Sequence, residues 1–441
     1  MFCASLLTSA KVQEFIRDAF KRKLDALQIS TALNKAGYSN EDRAAIMDYM
    51  ALIPKIQDKF GLGNLLCDKL ALEQSTAQDI GRWKANLWPA DSEVGNAGAT
   101  VHDLCCGMGG DSFFIPASFK IVGVDLDEKR LAMYRHNMEV LGKAASTLCA
   151  DVRETAQNNN DKEMPASAGM TRADFFTIDP ARRAQEGENQ RDLRNLTPTL
   201  EEVVEISKRY QGGMVKLPPG YPPAEIPDGT EILYLGGHSD CRECLVLFGP
   251  LAKHPDTVRA VMVDKAGNAL AEWSRPRDRS QETLDDEFQE KLDLNDSLEG
   301  KDRTYRTATS RNDLPIGDIA KYISEPAPIL IRSHLFSSAA QAQDPEAHLI
   351  SEGIAYVANN EPLPAPGFTC YQVIAHSEIS TGAVRAMLKE HDIGKLTLKL
   401  RGVHLDPDAE IKRLKPKGKN SAILFYTRKA GEKIALLGFL Y

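Results

Sequence analysis

The stretch 100-TVHDLCCGMGGDSFFIPASFKIVGVDLD-127 carries the pattern that decides the fold. A buried-strand pattern ends at Asp103, a glycine turn follows at residues 107–110, and a second strand, Ile121–Val124, ends on Asp125. Glycines let the backbone pass close to a bound ligand, and a carboxylate at the next strand end can accept hydrogen bonds from two ribose hydroxyls. The stretch therefore predicts the opening of a nucleotide-binding βαβ unit.

The glycine spacing argues against one class of cofactor. The dinucleotide fingerprint G-x-G-x-x-G needs a third glycine where Ser112 stands, and here Gly109 is followed directly by Gly110. Taken alone, the glycines fit a tight strand-to-helix turn without a ligand equally well. The cofactor interpretation therefore depends on the strands that come later in the chain.

Acidic residues recur at the ends of successive predicted strands. A third strand, Ser146–Ala150, and a fourth, Asp174–Ile178, are each followed directly by an aspartate. The four acids are spaced 22, 26 and 28 residues apart, about the length of a βα repeat. Parallel strands bring such residues to one carboxyl edge, where open α/β folds bind ligands. The four acids are Asp103, Asp125, Asp151 and Asp179.

At these motifs the sequence resembles the class I S-adenosylmethionine-dependent methyltransferases, and most closely a bacterial group with Asp-Pro-Ala-Arg-Arg at residues 179–183 and a C-terminal THUMP-like domain. It is more distantly similar to RNA cap guanine-N2 methyltransferases. The resemblance implies an α/β fold: a Rossmann-like, seven-stranded, doubly wound sheet, an N-terminal helical cap and a small C-terminal α+β domain. It implies S-adenosyl-L-methionine as cofactor. The implied cofactor-binding residues are Asp103, Gly107, Gly109, Gly110, Asp125, Leu126, Asp151 and Val152.

The fourth motif departs from the pattern of amino methyltransferases. There, an acid or amide is followed by Pro-Pro and an aromatic ring that stacks on the base; here Ala181 and Arg182 follow Asp179 and Pro180. Asp179, Pro180 and Arg182 are the predicted catalytic residues, with Asp179 orienting the acceptor. Arg182 and Arg183 could stack on a base or contact phosphate. The alternative is a surface pair bonded to nearby glutamates.

Composition bounds the setting of the protein. The 441 residues predict two or three domains, and 42% hydrophobic with 26% charged residues is typical of a globular protein. We find no signal peptide or membrane span by pattern, and eight scattered cysteines favour a reducing cytoplasm. The net charge of −8 argues against a nucleic-acid platform over the whole surface.

Positive charge is concentrated near the C-terminus. Residues 395–429 hold ten basic and three acidic residues, a local excess of seven. This module predicts an RNA phosphate surface including Lys399, Arg401 and Lys415. The alternative is an ordinary solvated lysine face.

Three domains and one connecting segment are predicted. They are residues 1–90 (helical), 91–255 (cofactor-binding), 256–369 (hairpin, charged linker and connecting segment) and 370–441 (THUMP-like). Residues 157–172 are predicted to be an inserted loop and residues 274–313 a long loop or linker.

The N-terminal domain contains two helical patterns of interest. An apolar stripe runs through Ile16, Phe20, Leu24 and Leu27, and a second helix begins near Ser39 and is closed by Pro54. Before the first strand, residues 72–85 predict an amphipathic helix. Its polar face either covers the ligand site or is simply solvated; the face comprises Gln74, Ser75, Thr76 and Lys84.

Other polar residues are candidates for chemistry. Lys216, at a predicted carboxyl strand end, is a candidate substrate contact, as is Lys84. Cys241 and Cys244 form a single C-x-x-C near His238, but positions three apart on a strand point to opposite faces, so no metal is expected. Cys105 and Cys106 are predicted to be small buried residues.

These patterns predict a cytoplasmic methyltransferase that acts on a base amino group in structured RNA, either rRNA or tRNA. They imply no membrane partner and leave the oligomeric state open. Two alternatives remain: a small-molecule or protein methyltransferase, and a non-catalytic cofactor-binding RNA-interaction protein.

Overall fold

A computed structural model describes residues 4–90, 98–154, 174–182, 193–278 and 314–441. The predicted inserted loop at 157–172, the residue Arg183 and most of the predicted linker at 274–313 lie outside the described residues. Helices occupy Ala4–Leu7, Ala10–Lys21, Ala26–Lys35, Asn40–Phe60, Lys69–Gln74, Gln78–Lys84, Glu128–Val140, Leu200–Ser207, Pro328–Arg332, Phe336–Gln341, Thr381–Glu390 and Pro407–Leu414.

Eleven strands precede residue 279 in the described chain. They are β1 (Thr100–Leu104), β2 (Lys120–Asp125), β3 (Ala145–Cys149), β4 (Phe175–Ile178), β5 (Ala181–Arg182), β6 (Leu196–Thr197), β7 (Gly212–Leu217), β8 (Glu231–Gly236), β9 (Glu243–Phe248), β10 (Thr257–Val263) and β11 (Ala269–Pro276). Seven follow residue 313: β12 (Tyr322–Pro326), β13 (His348–Leu349), β14 (Val357–Asn359), β15 (Phe368–Glu378), β16 (Ile393–Leu400), β17 (Asn420–Lys429) and β18 (Glu432–Leu440).

The first sheet contains the predicted seven strands and two more. Its order is β11-β10-β8-β9-β7-β4-β1-β2-β3. Strands β3, β2, β1, β4 and β7 run parallel, and β9 is antiparallel to both β7 and β8. The hairpin β10–β11 joins this sheet through a parallel pairing of β10 with β8. The sheet therefore extends beyond residue 255, where the sequence placed the domain boundary.

Alternate residues of these strands enter core clusters on opposite faces of the sheet. Leu104, Val124 and Val215 pack with one cluster, which also takes in helix Leu200–Ser207 and the apolar residues of helices 328–332 and 336–341. Val101 and Ile121 pack with the other, which includes Ile80 of helix Gln78–Lys84. Helices thus cover both faces, as the doubly wound prediction requires.

The second sheet has the order β13-β14-β12-β15-β18-β17-β16. Although β12 and β16 are separated by three strands, Glu325 on β12 pairs with Lys399 and with Arg401 just after β16. The sheet must therefore curl, so that β12 approaches β16 at the edge of the sheet. Three of its strands, β12 to β14, come from the segment predicted to be a connection.

The N-terminal helices differ from their sequence pattern in three places. Phe20 and Leu27 are 45% and 77% exposed, because the chain turns after Arg22 and a new helix begins at the N-cap Asp25, which cuts the apolar stripe. Ser39 caps its helix as predicted, but that helix continues past Pro54 to Phe60. Burial of Ile56 and Phe60 stabilises the turns after the proline.

The predicted amphipathic helix at 72–85 is interrupted. It forms two helices, Lys69–Gln74 and Gln78–Lys84, separated by an extended conformation at Ser75 and Ala77. Three residues between the helices, Ser75–Ala77, reach the carboxyl edge of the first sheet. Within the described ranges no helix is long and apolar enough to cross a membrane.

Candidate functional site

The four predicted acids converge at the carboxyl edge of the first sheet. Asp103 and Asp125 lie within the last residues of β1 and β2, while Asp151 and Asp179 follow β3 and β4. The Cys105 thiol lies among them: burial, and then the negative charges of all four carboxylates, raise its pKa. Cys106 is buried as predicted, whereas Cys105 is partly exposed at this edge.

The glycine turn has the geometry that only glycine allows easily. Gly107 has a φ of +53°, and apart from its chain neighbours no atom of the described residues lies within 4 Å of the position where its Cβ would stand. Its N–H donates to Asp125 Oδ2 at 2.9 Å, which joins the turn to the neighbouring strand end. Gly109 has a φ of +95°, and a Cβ there would lie 2.7 Å from Met138 Cε. The turn leaves open space beside Gly107, which fits a bound ligand.

Asp103 is buried beneath this turn. Ser112 Oγ donates to its Oδ2 at 2.6 Å. Burial, followed by the nearby charge of Asp111, raises the pKa of Asp103 to about 8. A cationic group of a ligand placed here would favour the ionised carboxylate.

On the β2–β3 side, an apolar surface lies beside two carboxylates. Leu126, directly after Asp125, is 62% exposed. Asp151 pairs with Arg153, whose hydrogen bonds lower the pKa of the carboxyl. Val152 is buried in the core. An exposed leucine between two acids suits a flat heterocycle with polar edges.

On the β4–β7 side, Asp179 forms an ion pair with a lysine. Lys216 Nζ lies 2.7 Å from Asp179 Oδ2 and 3.8 Å from Glu243 Oε1. Burial disfavours the charged ammonium, but Asp179, Glu243 and Asp111 outweigh it and raise the pKa of Lys216. Pro180 is buried beside Asp179, and Arg182 lies in β5, where its backbone pairs with Leu196.

Behind Lys216 lies a second buried cation. Lys84 pairs with Asp111 and, at 3.1 Å, with Glu243 Oε2. Burial lowers the pKa of Lys84, but the two carboxylates raise it by more, so the pKa is raised overall. The pKa of Asp111 is held low against the effect of burial by Lys84 and Lys216. Lys84 is therefore part of a buried charge network, not of a solvated helix face.

Sequence reasoning did not single out two members of this network. Asp111 follows the glycine turn directly, and Glu243 begins the apolar strand β9. A glutamate at the start of such a strand was the available signal, because an acid buried with an apolar strand is almost always paired. The partners of Glu243 could not be read from the sequence, since they come from residues 167 and 159 positions away.

The basic residues of the C-terminal module occupy two different environments. Lys399 and Arg401 are paired with Glu325, and the Arg401 guanidinium lies 4.7 Å from the ring centre of Tyr356. Lys415 ends the helix Pro407–Leu414 and is exposed. Of the three predicted contacts, only Lys415 presents its charge to solvent without a carboxylate partner among the described residues.

The cysteine motif has no cluster of metal ligands around it. Cys244 is buried on β9 and Cys241 is partly buried before the strand. Across the described part of the chain, no group of three His, Cys, Asp or Glu residues could hold a metal ion.

Two family matches cover separate parts of the chain. Residues 98–168 match the family described as RNA cap guanine-N2 methyltransferase. Residues 368–438 match the family described as THUMP domain-like. The first segment contains the glycine turn and the first three of the four acids. The second contains most of the second sheet.

Individual proteins extend the similarity. A Mycobacterium tuberculosis H37Rv protein described as an uncharacterized S-adenosylmethionine-dependent methyltransferase is 26% identical over 383 residues, 83% of this chain and 86% of the relative. Ribosomal RNA small subunit methyltransferase B of Pseudomonas syringae pv. tomato is 44% identical over 64 residues, 14% of each chain. A Porphyromonas gingivalis W83 protein of known structure, described provisionally as a methyltransferase, covers all of both chains with a TM-score of 0.68 and 18% identity, which shows a shared fold.

Proposed function

We propose that this chain, an S-adenosylmethionine-dependent methyltransferase with a THUMP-like C-terminal domain, methylates an amino group of a base in structured RNA. The observation that carries the proposal is the Asp179–Lys216 pair at the carboxyl edge, on the same edge as the glycine turn. The family matches support RNA as the substrate class. An RNA substrate also agrees with a cytoplasmic setting.

The cofactor fits the residues of the edge. The open space beside Gly107 takes a ligand close to the backbone, and buried Asp103 matches the amino group of its methionine part. Asp125 would accept the ribose hydroxyls, and Leu126 with Asp151 would contact the adenine. When bound, S-adenosylmethionine supplies an activated methyl group on a sulfonium.

Asp179 then has the role of orienting the acceptor. Lys216 uses Oδ2, and among the described residues none donates to Oδ1. That oxygen can accept a hydrogen bond from an exocyclic amine and direct the nitrogen lone pair towards the methyl group. As the amine gains positive charge during transfer, the adjacent carboxylate stabilises it.

The C-terminal module has the task of holding RNA. The proposed contacts are Lys415 and the exposed lysines around it, which would bind phosphates without reading sequence. Lys399 and Arg401 are held by Glu325, so we assign them to the curl of the sheet and not to the main RNA contact. Arg182 remains a proposed catalytic residue and Arg183 a proposed substrate contact.

Transfer of labelled methyl from S-adenosylmethionine tests the proposal. Total RNA, protein and metabolite fractions are assayed in parallel with the wild-type chain and with Asp179→Ala. We expect label in RNA, reduced at least about 100-fold by the substitution because the acceptor loses its orienting carboxylate. The dissociation constant of the cofactor should stay within about a factor of three.

A second aspartate, beside the other end of β4, provides the control. Asp174 lies just before β4, at the opposite edge, where it accepts a hydrogen bond from the Thr100 N–H. Asp174→Ala should retain methyl transfer. Label in protein or metabolites alone would overturn the RNA assignment, and cofactor binding without any transfer would support a non-catalytic RNA-interaction protein.

A further inference from the structure

The short break between two N-terminal helices reaches the catalytic edge. Ser75–Ala77 separates helices Lys69–Gln74 and Gln78–Lys84, and the side chain of Thr76 is almost fully buried, with 2% of the residue exposed. Its Oγ1 lies 2.7 Å from Glu243 Oε1 and 2.9 Å from Asp111 Oδ1. A threonine from the N-terminal helical segment thus lies in the charged centre of the sheet edge.

The hydroxyl of Thr76 connects opposite charges. A hydroxyl has one proton to donate and lone pairs with which to accept. It can therefore donate to one of the two carboxylates while it accepts from Lys216 Nζ, which lies 3.4 Å away. Within this group of buried charges Thr76 is the neutral member that contacts both signs.

The hydrogen bonds of Lys216 determine where its ammonium points. An ammonium has three donors, and the structure provides three acceptors: Asp179 Oδ2 at 2.7 Å, the Gln74 carbonyl oxygen at 3.3 Å and Thr76 Oγ1 at 3.4 Å. Two of the three come from the N-terminal segment: Gln74 ends the helix before the break, and Thr76 lies in the break. Together these two contacts direct the remaining donor towards Asp179.

The break is itself held against the glycine turn. A Cβ on Gly110 would lie 3.0 Å from Ser75 Cβ and 3.3 Å from the Thr76 backbone nitrogen. Thr76 is thus packed between the turn that would hold the cofactor and the lysine that contacts Asp179.

We propose that Thr76 is a positioning residue for Asp179 and acts through Lys216, so that the N-terminal helices complete the acceptor side of the active site. The inference rests on the proposed role of Asp179 in orienting the acceptor. It assigns to the helical cap a part in the chemistry, in addition to its part in covering the sheet.

Two substitutions at Thr76 separate the hydroxyl from the rest of the side chain. Thr76→Val keeps the shape and removes the hydroxyl, whereas Thr76→Ser keeps the hydroxyl. With the full chain, labelled S-adenosylmethionine and total RNA, we expect Thr76→Val to lower kcat by about 10-fold to 100-fold, because Lys216 loses one of its anchors. The KM for S-adenosylmethionine should stay unchanged, and Thr76→Ser should recover most of the rate.

A buried threonine elsewhere controls for lost stability. Thr230 is buried just before β8, at the opposite edge of the sheet, and its hydroxyl donates to the Pro227 carbonyl at 2.6 Å. Thr230→Val should lower the melting temperature without changing kcat. A wild-type kcat in Thr76→Val, or equal rates for Thr76→Val and Thr76→Ser, would overturn the proposal.

A second measurement needs no substrate. Carbon-13 NMR of labelled aspartate carboxyls, with the Asp179 signal assigned by Asp179→Asn, follows the titration of this group in the intact chain. In Thr76→Val the titration should move to higher pH, since a less constrained Lys216 neutralises Asp179 less well; Thr76→Ser should titrate like the wild type. An unchanged titration in Thr76→Val would refute the positioning role of Thr76, whether or not RNA is methylated. Absence of methyl transfer to RNA would refute only the proposed function.

Discussion

The sequence predicts substrate-binding cations in two regions, the carboxyl edge of the first sheet and the C-terminal module, and the fold treats the two regions differently. At the edge, Lys84 and Lys216 are enclosed with three carboxylates and a threonine. In the C-terminal module, Lys399 and Arg401 share one partly buried carboxylate, and Lys415 is exposed. The difference teaches that the role of a lysine depends on two properties of its surroundings: how many carboxylates lie around it, and how far water is excluded from the site.

Removal of Lys84 should produce the largest loss of stability. In Lys84→Met, Asp111 and Glu243 remain buried without their shared cation, which should lower the free energy of unfolding by about 3–5 kcal/mol. Urea unfolding measures the loss. Lys208→Met is the control because Lys208 pairs with Glu205 on the exposed surface, and it should cost less than about 1 kcal/mol. Equal losses in the two variants would contradict the comparison.

Asp103 should give the carboxyl edge of the first sheet a measurable pH dependence. Its pKa of about 8 in the folded chain lies above the unfolded value of about 3.9. Between these values the folded chain holds a proton that the unfolded chain has lost, so this group's contribution to stability is complete below about pH 4 and declines until about pH 8.

Asp103→Asn isolates that contribution. Relative to wild type, the variant should gain stability as pH rises from 5 to 7.5, with a slope of at most about 1.4 kcal/mol per pH unit. Urea unfolding at several pH values provides the measurement. Parallel stability curves for the two chains would mean that the carboxyl is ionised throughout.

Removal of Glu325 should have an intermediate effect. Glu325→Gln leaves Lys399 and Arg401 beside a neutral amide; because the pairs are partly exposed, we expect a loss of about 1–2 kcal/mol. Thermal unfolding measures it, and cofactor binding should be unaffected. A loss as large as that of Lys84→Met would show that the two regions are electrostatically alike.

Lys415 should have the smallest effect on stability and a specific one on RNA binding. Lys415→Gln should change the free energy of unfolding by less than about 0.5 kcal/mol and reduce the salt slope of RNA affinity by about one. Lys399→Gln is the matched control, with the opposite result: lower stability and an unchanged salt slope. RNA titrations at several salt concentrations distinguish the two, and identical slopes would remove Lys415 from the RNA surface.

Local patterns accounted for the elements of the first sheet because their signals are short-range. The glycine turn, the aspartates at strand ends and the cap Ser39 each depend on a few neighbouring residues. Patterns were less informative about burial and strand pairing, which depend on residues distant in the sequence. Phe20 and Leu27 match a helical stripe, but a turn after Arg22 directs them to solvent. The hairpin β10–β11 was visible in the sequence, but its pairing with β8 was not.

By itself, the sequence determined the α/β class, the position of the glycine turn and the four acids that meet at one edge, because strand alternation and βα spacing are properties of the chain within about 30 residues. Only the tertiary structure decided which charges neutralise one another. Thr76, Lys84, Asp111 and Glu243 are drawn together across as many as 167 positions, and Lys399 and Arg401 meet Glu325 across a curled sheet. Burial makes the pairings at the carboxyl edge obligatory, since an unpaired charge inside a protein costs several kcal/mol. In neither region does a local signal in the sequence identify the partner.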